Sequence, residues 1–312
     1  MLKIMPDAVS PRDGVWIDLC DPSEAECREV EERFGVRVPT LAAISEIENS
    51  SRLRVHDALL TMSAPLLTKG TDDRLETAPA GFLLNQQVLV TVHFAPLLAF
   101  DSVEQTVARH PEGSPAGVLV RLLEDIVDRA ADHLEHVSEQ ITAISRTVFY
   151  SDLKRRGLSQ ETAILRHAII KLGRAYDRAS RVRYMFLSIG RMAAFVGERC
   201  KVDIDEDLHR RLQSVQHDIA SLDEFEGSLS TRIQFLQDAA NSLISIEQND
   251  VVKVLTVASV VGIPPVLIVG IYGMNFKNMP ELNWQYGYGY ALGLCVVTTV
   301  IPYLLFKWRK WV

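Results

Sequence analysis

The chain has 312 residues, with 33 Lys and Arg against 40 Asp and Glu, for a formal net charge of −7. That length admits two or more domains at roughly 150 residues each, and the acidic balance argues against a nucleic-acid partner, which selects a basic surface. Cys20, Cys27, Cys200 and Cys295 are scattered with no C-x-x-C pair, so reduced, packed thiols are expected rather than a disulfide framework.

The opening "MLKIMPDAVSPRDG" lacks a sustained apolar core, and no signal peptide is expected in it. Val15 to Leu19, Leu53 to Met62, "AGFLLN" and Gln87 to His93 read as strands, the last two separated by a tight polar turn. Between the first two, "DPSEAECREVEERFG" begins with Asp and Pro, is acidic early and ends at Gly35, which are helix start and stop signals. An α/β or α+β domain is expected over residues 1–112, closing with a helix in "FDSVEQTVARH" and a Pro/Gly-rich break from His110 to Gly117.

Beyond Gly117 strand signals vanish. Val118, Leu122, Ile126, Ala130, Leu134, Val137, Ile141 and Ile144 recur at helical spacing, and a second helix runs from about Leu158 to Val196, so residues 113–203 are expected as a helical pair. A third helix begins near Ile204, with Leu208, Leu212, Val215, Ile219, Leu222, Phe225, Leu229, Ile233 and Leu236 along it, and meets no Pro before Pro264. It is expected to form a stalk over 204–253 and to continue into the apolar run that follows. A monomer offers nothing of the stalk's own size to cover so long a stripe, which predicts a bundle of several copies.

Val254 to Tyr272 and Tyr286 to Phe306 contain no Asp, Glu, Lys, Arg or His. Each is close to the roughly 20 residues that cross a bilayer core, so transmembrane helices are expected over 254–275 and 286–306, joined by an external loop at 276–285. Lys253 precedes the first run and the basic tail 307–312, with Lys307, Arg309 and Lys310, follows the second. Basic flanks stay cytoplasmic, so the chain is expected in the inner (plasma) membrane with both termini on the cytoplasmic side. Trp284, Tyr286, Tyr288 and Tyr290 at one interface, and Trp308 and Trp311 at the other, fit aromatic belts in contact with lipid. Gly289 and Gly293 form a G-x-x-x-G that permits close helix packing.

Signatures of nucleotide hydrolysis, dinucleotide binding, serine hydrolysis and zinc proteolysis are all missing, so no enzyme and no organic cofactor is expected. His133 and His136, with Asp132, Glu135 and Glu139, share a helix face that is able to offer zinc ligands, and His209 with His217 is a weaker pair. A solvated charged face is the plainer reading of both.

"YGMN" at Tyr272 to Asn275, "MPEL" at Met279 to Leu282, the uncharged second span and the terminal "KWRKW" together resemble the CorA family of divalent-cation channels, and "IEQNDVVKVLT" resembles that family's stalk. The resemblance is close over Ile246 to Val312; upstream only the order of elements is similar. It implies a homopentameric funnel in which an N-terminal α/β cytoplasmic domain precedes long helices, forming a stalk continuous with the first of two transmembrane helices. It also implies Gly273, Met274 and Asn275 as a selectivity filter and Asn249, Val252, Leu255, Ser259, Ile263, Val266 and Gly270 as the pore-lining row, with Val252 and Leu255 as a hydrophobic constriction. Glu281 would add negative potential at the mouth, opposed by Lys277. Family members often carry Thr where this chain has Val266, which removes one polar ring. Mg²⁺ is implied as substrate, with Co²⁺ and Ni²⁺ as further candidates, and also as a regulator held by Asp238 with Asp72 and Asp73 as partners. The family's other stalk carboxylate falls at Ser214, with Asp218 one turn on. Two other readings stand beside this one: a zinc transporter of the same superfamily, proton-coupled or not, and a membrane-tethered scaffold or sensor without permeation.

Overall fold

A computed structural model describes residues 1–5, 15–46, 52–70, 74–110, 112–150, 158–199, 205–275, 279, 284–309 and 311. The elements follow in the order β1 (Leu2–Met5), β2 (Val15–Cys20), α1 (Glu24–Phe34), α2 (Leu41–Ile44), β3 (Leu53–His56), β4 (Leu59–Lys69), β5 (Leu75–Leu84), β6 (Val88–His93), α3 (Leu98–Arg109), α4 (Pro115–Tyr150), α5 (Leu158–Arg199), α6 (Glu206–Tyr272) and α7 (Gly287–Trp308). The chain divides into two compact units: Met1–Ser151 with Ala168–Gln237, and Asp152–His167 with Asp238–Val312.

In the first unit six strands form one sheet in the order β1-β2-β6-β5-β4-β3. Only β2 and β6 pair in parallel, with Asp18 opposite Thr91 and Cys20 opposite His93; the other pairs are antiparallel. Side chains alternate across a strand, so Ile17 and Leu19 join Val88, Val90 and Val92 on one face, where they pack with Val30, Val36 and Val38 of the α1 region. The opposite face carries Trp16, Asp18, Thr91 and His93, all buried, with Phe100 of α3 against Trp16, Phe82 and His93. Because both faces of β2 and β6 are covered, these strands read as apolar runs rather than as an alternation.

Helix α1 starts on a capping box, in which the Ser23 hydroxyl accepts from Glu26 N–H and the Glu26 carboxylate accepts from Ser23 N–H. It stops at Gly35, whose φ of 67° suits a residue without Cβ. The apolar stretch Leu53 to Met62, expected as one strand, is two: Asp57 takes a left-handed φ of 54° and turns β3 back onto β4 in an antiparallel hairpin. Asp is one of the few side chains that tolerate this conformation, and its short polar group makes the turn without a glycine. The break expected to reach Gly117 ends earlier, since Pro115 opens α4, where its missing N–H costs nothing.

Helices α4, α5 and α6 bury one another's apolar stripes within this unit. Leu208, Leu212, Val215, Ile219, Leu229, Ile233 and Leu236 of α6 are buried in the single chain. Most of this stripe therefore needs no further copy to cover it, since α4 and α5, of 36 and 42 residues, are long enough to do so; Leu222 is half-buried and Phe225 exposed. Arg211 on α6 ties the group together, forking onto Glu124 of α4 at 2.8 and 2.9 Å and reaching Glu112 at 3.3 Å. Arg183 on α5 reaches the buried carboxylate of Glu226 at 3.2 Å, and Ser230 donates to the same carboxylate at 2.6 Å.

The second unit contains the start of α5, the remainder of α6 from Asp238, and α7. Helix α6 carries Pro264 and Pro265 in its interior and ends at Tyr272, so Gly273, Met274 and Asn275 lie just past its last turn rather than inside it.

Candidate functional site

The apolar part of α6 differs from an ordinary core helix in what covers it. After Glu247 no residue of the helix is buried as far as Tyr272, although the side chains are mostly apolar: Val252 is 59% exposed, Leu255 66%, Ile263 62% and Val266 72%. Leaving such a surface in water opposes folding by about 25 cal/mol per Å², so lipid or further protein must cover it. Both α6 and α7 are long and apolar enough to cross a membrane.

Asn249, Val252, Leu255, Ser259, Ile263, Val266, Gly270 and Gly273 step by three or four. At about 100° per residue they fall in a band roughly 120° wide on one side of a helix. Asn249, Gly270 and Gly273 are exposed like their apolar neighbours, and Ser259 is half-buried. Two features punctuate the row. Pro264 and Pro265 offer no N–H, so the carbonyls of Val260 and Val261 lose their usual partners. From α7, the Cys295 thiol approaches the Pro265 carbonyl at 3.9 Å.

The row ends where the helix does. Gly273 N–H donates to the Val269 carbonyl at 2.9 Å and Met274 N–H to that of Ile271 at 3.2 Å, closing the last turn. Asn275 follows, exposed and uncharged, so its amide is available to an approaching ion or its water shell. Lys277 and Glu281 lie outside the described residues, as do Asp72 and Asp73. Trp284 packs near Tyr286 and Tyr290 at ring distances of 6.3 and 5.7 Å, and Phe306 stacks on Trp311 at 5.6 Å. Aromatic groups thus stand at both ends of α7.

Asp238 is exposed on α6 between the buried Leu236 and Ala240. Ser214 and Asp218 line a polar cavity with Arg121, Glu124 and Asp128. Burial, with Asp125, Glu124 and Asp218 nearby, pushes the Asp128 carboxyl up from its ordinary value. Among the described residues no group of three or more His, Cys, Asp or Glu is placed to hold a metal ion. His136 pairs with Gln140 at 2.9 Å and His209 with Gln213 at 3.1 Å. His133 sits half-buried beside a cavity lined by Leu66, Leu97, Ile126 and Met185, where burial and the charge of Arg178 hold its pKa down.

Two carboxylates escaped the reading of the sequence. Glu226 and Glu247 are 1% and 8% exposed. Their signal was spacing: 219, 222, 226, 229, 233, 236, 240, 243 and 247 is an unbroken three-four series, so both acids occupy positions on the apolar stripe. An acid at such a position must find a partner. For Glu247 that partner is the Thr162 hydroxyl of α5, which donates to Oε2 at 2.5 Å.

Residues 12–308 match the family of CorA-like Mg²⁺ transporter proteins. The magnesium transport protein CorA of Wolinella succinogenes is 31% identical over 308 residues, which is 97% of this chain and 92% of that one. Its counterpart in Yersinia pseudotuberculosis is 28% identical over 300 residues, 96% and 92% of the two chains. The complete structure of the CorA magnesium transporter from Methanocaldococcus jannaschii superposes with a TM-score of 0.76 at 17% identity, covering 98% of this chain and 94% of that one. The full-length CmaX protein gives 0.71 at 14%, covering 97% and 90%. The cytoplasmic domain of ZntB from Vibrio parahaemolyticus gives 0.50 at 14%, covering 78% and 90%. At 14–17% identity these likenesses are of fold alone; in this chain that fold is an N-terminal α/β domain followed by long helices, with the apolar segments in the end of α6 and in α7. On the extent of the family match and the identity to a relative across nearly the whole of both chains, this protein belongs to the CorA-like Mg²⁺ transporter family of membrane proteins.

Proposed function

We propose that the chain assembles as a homopentamer in the inner membrane, with both termini cytoplasmic, and conducts Mg²⁺ inward through a pore lined by α6. Co²⁺ and Ni²⁺ are further substrates of the same path. The observation that carries this reading is the uncovered, uncharged row from Asn249 to Gly273, ending in an exposed Asn275 just beyond the helix. The names of the relatives, magnesium transport proteins, support the choice of ion. Symmetry around a central axis is what covers an apolar band on one side of a helix while leaving a path between the copies.

The chemistry follows from the ion. Mg²⁺ dehydrates reluctantly and prefers six oxygens, so a filter that accepts hydrogen bonds from its bound waters avoids stripping it. A ring of Asn275 carbonyls does this without the charge that would trap the ion. Gly273 leaves room beside it and exposes backbone carbonyl. Val252 and Leu255 form a narrow apolar constriction that gates by dewetting, with Asn249 as the polar ring below it. Inward movement needs no hydrolysis: at 100 mV a divalent ion gains about 4.6 kcal/mol, enough for more than about a thousandfold accumulation. Glu281 adds negative potential at the mouth, and Asp238, with Asp72 and Asp73 of a neighbouring copy, holds the regulatory Mg²⁺ that favours closure.

A zinc transporter of the same superfamily, proton-coupled or not, is the second reading. One experiment separates these. The full chain is reconstituted in liposomes, a potential is imposed, and uptake of Mg²⁺, Co²⁺, Ni²⁺ and Zn²⁺ is followed with and without a proton gradient. Potential-driven Mg²⁺ uptake is expected. Zn²⁺ uptake that requires the proton gradient would favour the second reading, and no uptake of any of the four ions would leave a scaffold.

A further inference from the structure

Glu247 is the last residue of α6 that the chain itself buries, since every residue from Gln248 to Tyr272 is exposed or half-buried. It therefore marks the last fully buried position of α6; beyond it the helix is at most half-covered by its own chain, as where Cys295 of α7 approaches Pro265. At this position α5 reaches α6 through a hydrogen bond: the Thr162 hydroxyl, 85 residues away in sequence and in the first turns of α5, donates to Oε2 at 2.5 Å. Both residues belong to the same compact unit.

The position matters because of what stands on the other side of the helix. Asn249 is two residues on, about 200° around the axis, and exposed. Val252 and Leu255 follow within about 12 Å along the helix, themselves exposed at 59% and 66%. In the turn between, Lys253 donates to Asp250 at 2.8 Å along the same helix, an exposed pair that ties α6 only to itself. A buried carboxylate loses heavily if its hydrogen bond breaks, so the contact is either made or replaced by a separated, hydrated arrangement. The contact lies within about 12 Å of Val252 and Leu255 along α6.

We propose that the Thr162–Glu247 hydrogen bond is a positioning contact that holds α6 at the level of Val252 and Leu255 and so sets how far the constriction stays closed. This rests on the transport reading. Thr162 and Glu247 touch no ion; they act through the placement of the helix. Loosening the contact lets the apolar stretch widen and wet, while the filter at Asn275, at the opposite end of the span, keeps its selectivity.

The test compares Thr162→Val, which keeps the shape and loses the hydroxyl, with Thr162→Ser and Glu247→Gln, which keep a donor and an acceptor. In liposomes holding the full chain, Thr162→Val is expected to raise the maximal Mg²⁺ influx at least threefold. The half-saturating external Mg²⁺ and the Mg²⁺ to Co²⁺ ratio should not change, and Thr162→Ser should return to wild type. Unchanged or reduced influx in Thr162→Val, or an equal rise in Thr162→Ser, would overturn the proposal. If the wild type carries no ion, the transport reading fails separately. Hydrogen exchange of the detergent-solubilised full chain then decides the contact: amides 248–253 should exchange at least threefold faster in Thr162→Val and at the wild-type rate in Glu247→Gln. Equal exchange in Thr162→Val and wild type sinks the positioning role.

Discussion

His93 Nε2 lies 3.2 Å from Asp18 Oδ2, on neighbouring parallel strands and out of reach of solvent. The rest of the network leaves little choice of proton. Nδ1 of the same ring is 2.7 Å from the Ala95 carbonyl, which only accepts, and Asp18 Oδ1 accepts from the Thr91 hydroxyl at 2.6 Å. Thr91 in turn accepts from the Trp16 indole at 3.0 Å. With an acceptor at each ring nitrogen, the imidazolium is the form that satisfies the site.

The first prediction concerns pH. Burial works against the charged ring, but the hydrogen bond and charge of Asp18 outweigh it, with help from the Ala95 carbonyl and Asp101, so the His93 pKa is raised. A raised histidine takes up a proton on folding. Its stabilisation is fully present below the unfolded value of about 6.5 and is lost as pH rises through the folded one. Thermal unfolding of the solubilised chain should therefore shift to lower temperature from pH 6 to pH 9, and His93→Gln should flatten that slope. At pH 6, replacing the charged partner of Asp18 by a neutral amide should cost about 1–3 kcal/mol. A slope unchanged in His93→Gln would assign the pH dependence to other groups.

A second prediction follows from the Arg211 fork. Glu124 accepts from two of its nitrogens and Glu112 from two, and these bonds drive the guanidinium pKa up despite its burial, so the group stays charged. Lysine has the charge but not the fork. Arg211→Lys should lose about 1–3 kcal/mol of stability, seen as a lower unfolding temperature at every pH between 6 and 9. A variant as stable as wild type would make the fork dispensable.

Much of the architecture could be read ahead of the structure because single residues report it. Two uncharged runs flanked by Lys253 and Lys307 declare spans, and Gly35 ends α1 where a left-handed residue is needed. What stayed hidden depended on partners distant in sequence. The amphipathic stripe of α6 says that something covers it but not that α4 and α5 do. The β3–β4 hairpin turns on Asp57, whose left-handed backbone has no signal as strong as glycine. Strand β1 is four residues long, too short for an alternation to show, and is held by pairing with β2. Glu247 looked like one more polar residue of a polar run until Thr162 was placed beside it.

The third prediction addresses feedback. Asp238 is exposed, so Asp238→Asn should change stability by no more than about 0.5 kcal/mol. If neighbouring subunits share a hydrated cation there, the substitution should raise the internal Mg²⁺ needed to halve uptake by several-fold and leave the Mg²⁺ to Co²⁺ ratio alone. Measuring uptake against internal Mg²⁺ in loaded liposomes decides it, and an unaltered inhibition curve would move the regulatory carboxylate elsewhere.

The last prediction is the sharpest test of the filter. Asn275 stands beyond the end of α6 and its side chain is exposed. Asn275→Ala therefore removes no packing and breaks no helix, and it should alter stability by about 0.5 kcal/mol or less. Assembly, checked by the size of the solubilised complex, should be that of wild type. Transport should not survive: a methyl group offers no acceptor to the waters around Mg²⁺, so uptake should fall at least tenfold. Asn275→Asp keeps the shape and an acceptor but places one negative charge per subunit at the same level, which should hold a divalent ion longer, lowering maximal flux and the half-saturating Mg²⁺ together. Lost uptake in Asn275→Ala, against slower uptake at a lower half-saturating Mg²⁺ in Asn275→Asp, points to water-shell recognition rather than to a general disturbance. If Asn275→Ala assembles and transports as the wild type does, Gly273 to Asn275 do no more than end a helix, and selectivity must reside deeper in the row that begins at Asn249.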